Sequence, residues 1–477
     1  MSAAIAIASQ AYTRPSIQTA VPGPLSSEQL ALQRKEESGA VSYPRKLTIA
    51  IKAAQGSYVE DMDGNVFLDC LTGAGVMPLG HNHPRVIAAA KQQLDKLTQG
   101  LDFPTEVKTA FRQAQLSMLP EAIRDDMLVH FCGPTGSDAV EAALKLSKLY
   151  TCGDEVISFQ GGYHGAGHGT MAVTGLREVK IHLGNLMPGV HFFPYSHCHD
   201  CPVGLKRDNC NTNCATYLEK SLRDPNSGLR RPAAVIMELV QGEGGVIPAD
   251  LEFVRRVRAV TREFDIPLII DEIQTGCGRT GTWFAFEQYG IEPDIVLAAK
   301  ALSGMGSPVA LMFYNKRMNV WKPGAHIGTF RGNQIAFAAG VETIRVVRED
   351  DVLGNVREVG AFLLDGLRKL ADEFPLVSDA RGRGFMLGLE VCDPLTRRPS
   401  PEIAKVVQKF ALQKGLIVEL GGRDDIVVRL LPPLTLSMDE ATQALAILRS
   451  ALGEAMQSVK TVRTVVERAA QAESIQP

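Results

Sequence analysis

The chain has 477 residues, of which 45% are hydrophobic and 22% charged, with a formal charge of -3. This balance allows a large core, and it gives no electrostatic reason for nucleic acid or an anionic membrane to be a partner. No window nears the roughly 18 apolar residues of a membrane span, and "AAIAIA" lacks the basic flank of a signal peptide, so the cytoplasm is the expected address. The nine cysteines are an odd number spread through a long chain, which argues for mostly reduced thiols.

Residues 1–40 mix Ser, Pro, Ala and Gln without period and read as a loosely ordered arm. The stretch 41–75 follows, where "GSYVEDMDGNVFLDCL" predicts two short strands about an Asp63-Gly64 turn. A large unit is expected over 76–330, where from about 127 onward short apolar runs alternate with helical patterns: "AAVIMELV", "LEFVRRVRAVTREF", "IPLIIDEI" and "PDIVLAAK". Such alternation predicts an α/β unit with a mostly parallel sheet and crossover helices, whose ligands gather at the carboxyl ends of the strands. After about 330 the rhythm changes to long helices and a few short strands. A smaller α+β unit is expected over 331–460, then a frayed tail over 461–477.

Four stretches carry chemistry. In "HFCGPTGSDAVEAALK" a loop of small residues opens a helix, so Gly136 and Ser137 could hold an anion, or Ser137 could simply cap the helix. In "FQGGYHGAGHG" Tyr163 and His164 lie between glycines, as a stacking surface or as an aromatic plug in a turn. In "IIDEIQTGCGRTG" the Asp271 carboxylate follows four apolar residues and needs a cationic or donor partner, with Gln274 three positions on. In "IVLAAKALSG" Lys300 ends an apolar strand. Either its stem crosses apolar surface to water, or desolvation makes it a neutral nucleophile. A pyridine ring carrying phosphate and aldehyde satisfies all four stretches together.

"IIDEIQTGCGRTG" followed by the lysine of "AAKALSG" resembles the class III pyridoxal-phosphate-dependent aminotransferases of fold type I, as do "MELVQGEGG", "GGYHG", "HIGTFRGN" and "VVRLLPPL" in order. The resemblance implies a large domain with a mostly parallel mixed sheet, a smaller α+β domain, and pyridoxal 5'-phosphate as cofactor. It implies that Lys300 forms the Schiff base and shuttles protons, that Asp271 pairs with the ring nitrogen and Gln274 with the ring hydroxyl, and that Tyr163 stacks with His164 beside it. Gly136 and Ser137 are then expected to hold the phosphate, with Thr329 reaching it from the neighbouring subunit of a homodimer. Glu243 and Arg429 match a gate that admits an ω-amine in one half-reaction and the carboxylate of a 2-oxo acid in the other.

Ala166 stands where relatives acting on ornithine or 4-aminobutyrate carry arginine, which makes those donors less expected. "CGPTGSDAVEAALK" and "GTFRGNQIAF" are most similar to the branch that exchanges L-2,4-diaminobutyrate and 2-oxoglutarate for aspartate 4-semialdehyde and glutamate. A racemase or aminomutase of the same fold has no need of the Glu243 and Arg429 gate. One stretch stands apart: "SHCHDCPVGLKRDNCNTNC" spaces Cys198, Cys201, Cys210 and Cys214 as Cys-x2-Cys-x8-Cys-x3-Cys. The first pair suits a metal, whereas the short central gap suits reduced thiols in a surface insertion or a local disulfide; no metal ligand is assigned.

Overall fold

The computed structural model describes residues 12–473; the first part of the expected arm, residues 1–11, and the last part of the expected tail, residues 474–477, lie outside the described residues. A seven-stranded sheet forms the centre, in the order Met127–Gly133, Ala310–Asn315, Ile295–Ala298, Leu268–Asp271, Ala234–Met237, Val156–Phe159 and Val190–Phe193. Only Ala310–Asn315 runs against its neighbours; the other pairs are parallel. Its inner strands are buried along their whole length, because helices cover both faces, and this explains their unbroken apolar runs.

The helix Leu251–Glu263 shows how local sequence sets the crossovers. Asp250 caps it by accepting from the backbone N–H of Glu252 at 3.1 Å and of Phe253 at 3.2 Å. Phe253, Val254, Val257 and Val260 then form one buried stripe at helical spacing against the sheet.

Strands from the two ends of the chain share a second sheet. The hairpin about Asp63-Gly64 joins Tyr58–Asp61 to Val66–Asp69, and the latter pairs in parallel with Leu416–Ile417. A third sheet, in the order Val377–Arg383, Met386–Val391, Val427–Leu430 and Glu419–Gly421, packs against the helices Val352–Glu373 and Pro401–Gln413.

Three features differ from the sequence expectations. Within the stretch read as a loosely ordered arm, Pro24–Glu36 form a helix; Asp63 accepts from Leu25 N and Ser26 N, supplying from a distant turn the cap that local periodicity does not reveal. The helix Met438–Glu473 runs on through the stretch expected to be frayed. The helix Gln334–Glu349, placed by rhythm beyond a boundary near 330, packs on the central unit instead: Phe337 stacks on Phe111 with ring centroids 5.0 Å apart. Helical period reports that a face is apolar but not which partner covers it.

That helix also supports the segment carrying Lys300. A Cβ at Gly340 would sit 2.5 Å from the carbonyl oxygen of Leu302 and strike the Phe111 ring. Gly340→Ala is therefore expected to destabilise the fold by about 1–3 kcal/mol. Urea denaturation checks it, and an unchanged midpoint contradicts this packing.

Candidate active site

Parallel strands place their carboxyl ends on one edge, and the chemistry gathers there. Asp271 closes Leu268–Asp271, Lys300 follows Ile295–Ala298 by two residues, Glu238 follows Ala234–Met237, and the loop carrying Tyr163 and His164 follows Val156–Phe159. Met127–Gly133 leads into the same edge and then into the helix Gly136–Thr151. A cavity of about 180 Å³ is bounded there by Gly136, Ser137, Tyr163, His164, Asp271, Gln274, Lys300, Glu238 and Glu243.

Lys300 sits in a left-handed backbone conformation, φ 40°, uncommon for a residue with a side chain. Such strain persists only where the surroundings impose it. Burial pulls the amine pKa down, opposed by the nearby Glu243 carboxylate, and no described carboxylate lies within ion-pair distance of its nitrogen. Asp271 is 4% exposed; its Oδ2 faces His164 Nδ1 at 2.8 Å and its Oδ1 accepts from Ile273 N at 3.1 Å. His164 Nε2 is buried without a partner.

The helix Gly136–Thr151 is capped by Thr135, which exchanges hydrogen bonds with Asp138. Capping therefore does not consume Ser137: its hydroxyl forms no hydrogen bond among the described residues and lies where a Cβ on Gly165 would strike it. Gly165 has φ 124°, so both its conformation and the space beside Ser137 require glycine. Gln274 Nε2 lies 3.5 Å from the carbonyl of Ala74, a marginal hydrogen bond.

Arg429 is 1% exposed and makes a two-point contact with Glu243, both N–O distances being 3.0 Å. A second carboxylate, Glu419, lies 2.8 Å from the same guanidinium. Burial raises the Glu243 carboxyl, but Arg429 more than offsets this and holds it low. Glu419 is left raised, chiefly by burial. Tyr43 stands over the group, its phenol pushed up by burial and then by the Glu419 and Glu243 charges.

Most of the residues expected from sequence thus meet at one cavity, with Arg429 joined to it through Glu243. Thr329 does not; it lines a separate, largely apolar cavity of about 660 Å³ with Leu101, Phe103, Ile327 and Arg331. Glu238, Glu419 and Tyr43 were not singled out from sequence. Glu238 was visible, because a carboxylate closing an apolar strand is the pattern that marked Asp271. Among the described residues no group of three or more His, Cys, Asp or Glu is placed to hold a metal, and Cys198, Cys201, Cys210 and Cys214 are all free thiols.

Pyridoxal phosphate fits this set. The buried unpaired amine could meet its aldehyde, Asp271 its ring nitrogen and Tyr163 its face, while Ser137 and the N–H groups opening a 16-residue helix could hold its phosphate.

A class III aminotransferase family model matches residues 40–452, and the chain belongs to that family. It is 45% identical over 433 residues to the diaminobutyrate–2-oxoglutarate aminotransferase of Rhizobium meliloti, which spans 88% of this chain and 92% of that protein. It is 40% identical over 454 residues to the enzyme of that name from Haemophilus influenzae, over 93% and 99% of the two chains. Solved structures share the fold. An amine transaminase from an uncultivated Pseudomonas species, in PLP-bound form, superposes with a TM-score of 0.78 at 29% identity, over 88% and 98% of the two chains. The ornithine aminotransferase of Toxoplasma gondii gives a TM-score of 0.78 at 27% identity, over 91% and 96%. The fold is that of the fold type I PLP-dependent transferases.

Glu238 yields a test of the site's electrostatics. Burial, followed by the Asp271 charge and opposed by His164, raises its carboxyl to about 7, although it accepts from Tyr163 N at 2.8 Å and Gly242 N at 3.0 Å. A raised carboxyl favours the protonated folded state, so its contribution to stability is full below the unfolded value of 4.5 and is lost as pH rises through about 7. Relative to Glu238→Gln, the native protein is expected to lose about 3 kcal/mol of unfolding free energy over that range. Denaturation curves across pH check it; parallel curves contradict the raised carboxyl.

Proposed function

We propose that this chain transfers the ω-amino group of L-2,4-diaminobutyrate to 2-oxoglutarate, giving aspartate 4-semialdehyde and glutamate reversibly, as a cytoplasmic homodimer with shared active sites. No nucleic acid or membrane takes part; no helix among the described residues is long and apolar enough to cross a membrane. Support for the substrate comes from the names of its 45% and 40% identical relatives. Support for the reaction type comes from one observation above all, the buried Glu243–Arg429 pair at the cavity wall.

Bound at Lys300, pyridoxal phosphate supplies the electron sink that lets an amino group leave one carbon for another. The protein supplies the rest. Asp271, fixed by His164 and Ile273 N–H, would pair with the ring nitrogen and favour its protonated form. Lys300 Nζ, whose pKa burial lowers, would hold the cofactor and serve as the base and acid that moves the substrate proton.

Glu243 neutralises Arg429 while the ω-amine is bound. When the 2-oxo acid enters, its carboxylate takes the same two N–H groups, so one pocket accepts both charge types without leaving a buried arginine unpaired. We assign the cofactor-binding unit to residues 76–330 and the small unit to 41–75 with 331–460, the helix Gln334–Glu349 of the latter stretch packing back on the cofactor-binding unit. Thr329 belongs to the phosphate site of the partner subunit. Its surroundings support this, since Phe103 and Ile327 are each 70% exposed and Phe330 is 69% exposed, a patch that a second copy would cover.

Purified enzyme is expected to form glutamate from diaminobutyrate and 2-oxoglutarate, and Lys300→Ala to be slower by roughly a thousandfold or more. Indifference to diaminobutyrate beside rapid reaction with another ω-amine would overturn the substrate. Thr329→Ala is expected to weaken cofactor retention in the dimer by about tenfold, the loss of one charge-assisted hydrogen bond. Equilibrium dialysis reads this directly, and unchanged retention refutes the shared site.

A further inference from the structure

A second polar cleft, of about 420 Å³, lies behind the Glu243 loop and is absent from the reaction as derived so far. Its walls come from the cysteine-rich insertion, through His197 and His199, and from the small unit, through Arg381, Glu390, Arg397 and Arg423. Arg381 is spent on Asp379 at 2.7 Å and Glu390 at 2.8 Å. Arg397 is held by the main-chain carbonyls of Pro375 and Val377.

Arg423 differs from both. None of the cleft's carboxylates, Asp200, Glu390 or Asp424, pairs with it, and among the described residues its guanidinium hydrogen-bonds only the Nδ1 of His197, at 3.1 Å. Burial, followed by the Arg423 and Arg381 charges, pushes the His197 imidazole down to about 4, so it is neutral near pH 7. Its Nδ1 therefore accepts from Arg423 and its Nε2 carries the proton. His197 is 5% exposed and that Nε2 is buried without a partner. His197 Nε2 is thus a buried donor without an acceptor, which costs stability unless an oxygen reaches it, and Arg423 beside it makes no ion pair among the described residues.

The same cleft touches the gate from behind. Gly244 lines it, Gly422 N donates to the Glu243 carbonyl at 2.9 Å, and Arg381 donates to the Gly245 carbonyl at 2.8 Å. A ligand drawing on Arg423 pulls on the turn that joins it to the Glu243 backbone.

We propose that this cleft is a second anion site, in which a small carboxylate or phosphate dianion docks on Arg423 beside His197, and that its occupancy is felt by the Glu243 loop. The coupling rests on the gate reading of Glu243 and Arg429; the binding does not. Ligands of this kind shift activity by favouring one position of a bistable element.

Calorimetric titration of the cofactor-loaded full chain with succinate, and separately with inorganic phosphate, tests it. The expected result is saturable binding that Arg429→Gln retains and Arg423→Gln weakens by about tenfold or more. His197→Gln is a second variant, expected to weaken binding less, and cofactor absorbance confirms that each variant is folded. Mutual displacement assigns both anions to one site; binding of phosphate alone marks a phosphate compound as the ligand, and of succinate alone a dicarboxylate. No binding to the native enzyme, or binding abolished by Arg429→Gln and untouched by Arg423→Gln, overturns the site. A shift in KM for 2-oxoglutarate with bound anion, present in the native enzyme and absent in Arg423→Gln, is expected from the coupling, and an equal shift in both overturns it. The anion-binding result does not depend on which amine the enzyme prefers.

Discussion

An ammonium group cannot stay charged and unpaired inside a protein without a large loss of solvation. Lys300 is placed under that constraint: its nitrogen is buried, it has no ion-pair partner among the described residues, and its backbone is held at φ 40°. The central sheet imposes the placement. Six strands run the same way and end on one edge, and the strand before Lys300 is buried along its length, so the chain must turn sharply just where the amine emerges. Gln334–Glu349 closes the turn from below, which leaves the side chain one direction to take, into the cavity. Burial there lowers the amine pKa and so favours the neutral form.

The second organising contact is the cluster of Glu243, Arg429, Glu419 and Tyr43. Two carboxylates share one buried guanidinium, so the group as a whole is over-supplied with negative charge. Arg429 satisfies Glu243 with two parallel hydrogen bonds and leaves Glu419 raised. Removing either member of a buried pair costs about 3–5 kcal/mol when the other is left uncompensated. Exchange of one carboxylate for another avoids that cost. Under the proposed gate the cluster would discriminate by charge, whereas a fixed arginine would serve only one class of substrate. Tyr43 comes from the first fifty residues and Glu419 from near the end of the chain, so both termini contribute to a site built on the central sheet.

What was legible in the sequence followed from local rules. Apolar runs ended by Asp271 and by Lys300 read correctly as strands of a parallel sheet, and the position of a ligand site at their carboxyl ends followed from topology. The loop before Gly136–Thr151 read as the opening of a helix, and its cap is Thr135, which leaves Ser137 free of that role. Features that depend on long-range partners were not readable. The helix Pro24–Glu36 takes its cap from Asp63, and Gln334–Glu349 joins the central unit through Phe111; neither contact leaves a mark on a single segment. Glu238 is different again. It carries the same signal as Asp271, a carboxylate closing a buried strand, and was passed over because no partner type stood beside it in sequence.

Under the proposed function, Lys300, out of all the lysines in the chain, is the amine that carries the cofactor. Borohydride reduction of the cofactor-loaded enzyme followed by peptide mapping tests it most directly, since reduction turns the Schiff base into a stable secondary amine at whichever lysine holds it. The account predicts the phosphopyridoxyl mass on the peptide containing Lys300 and on no other. The same mass on a different lysine, or a cofactor lost intact after reduction, would contradict it.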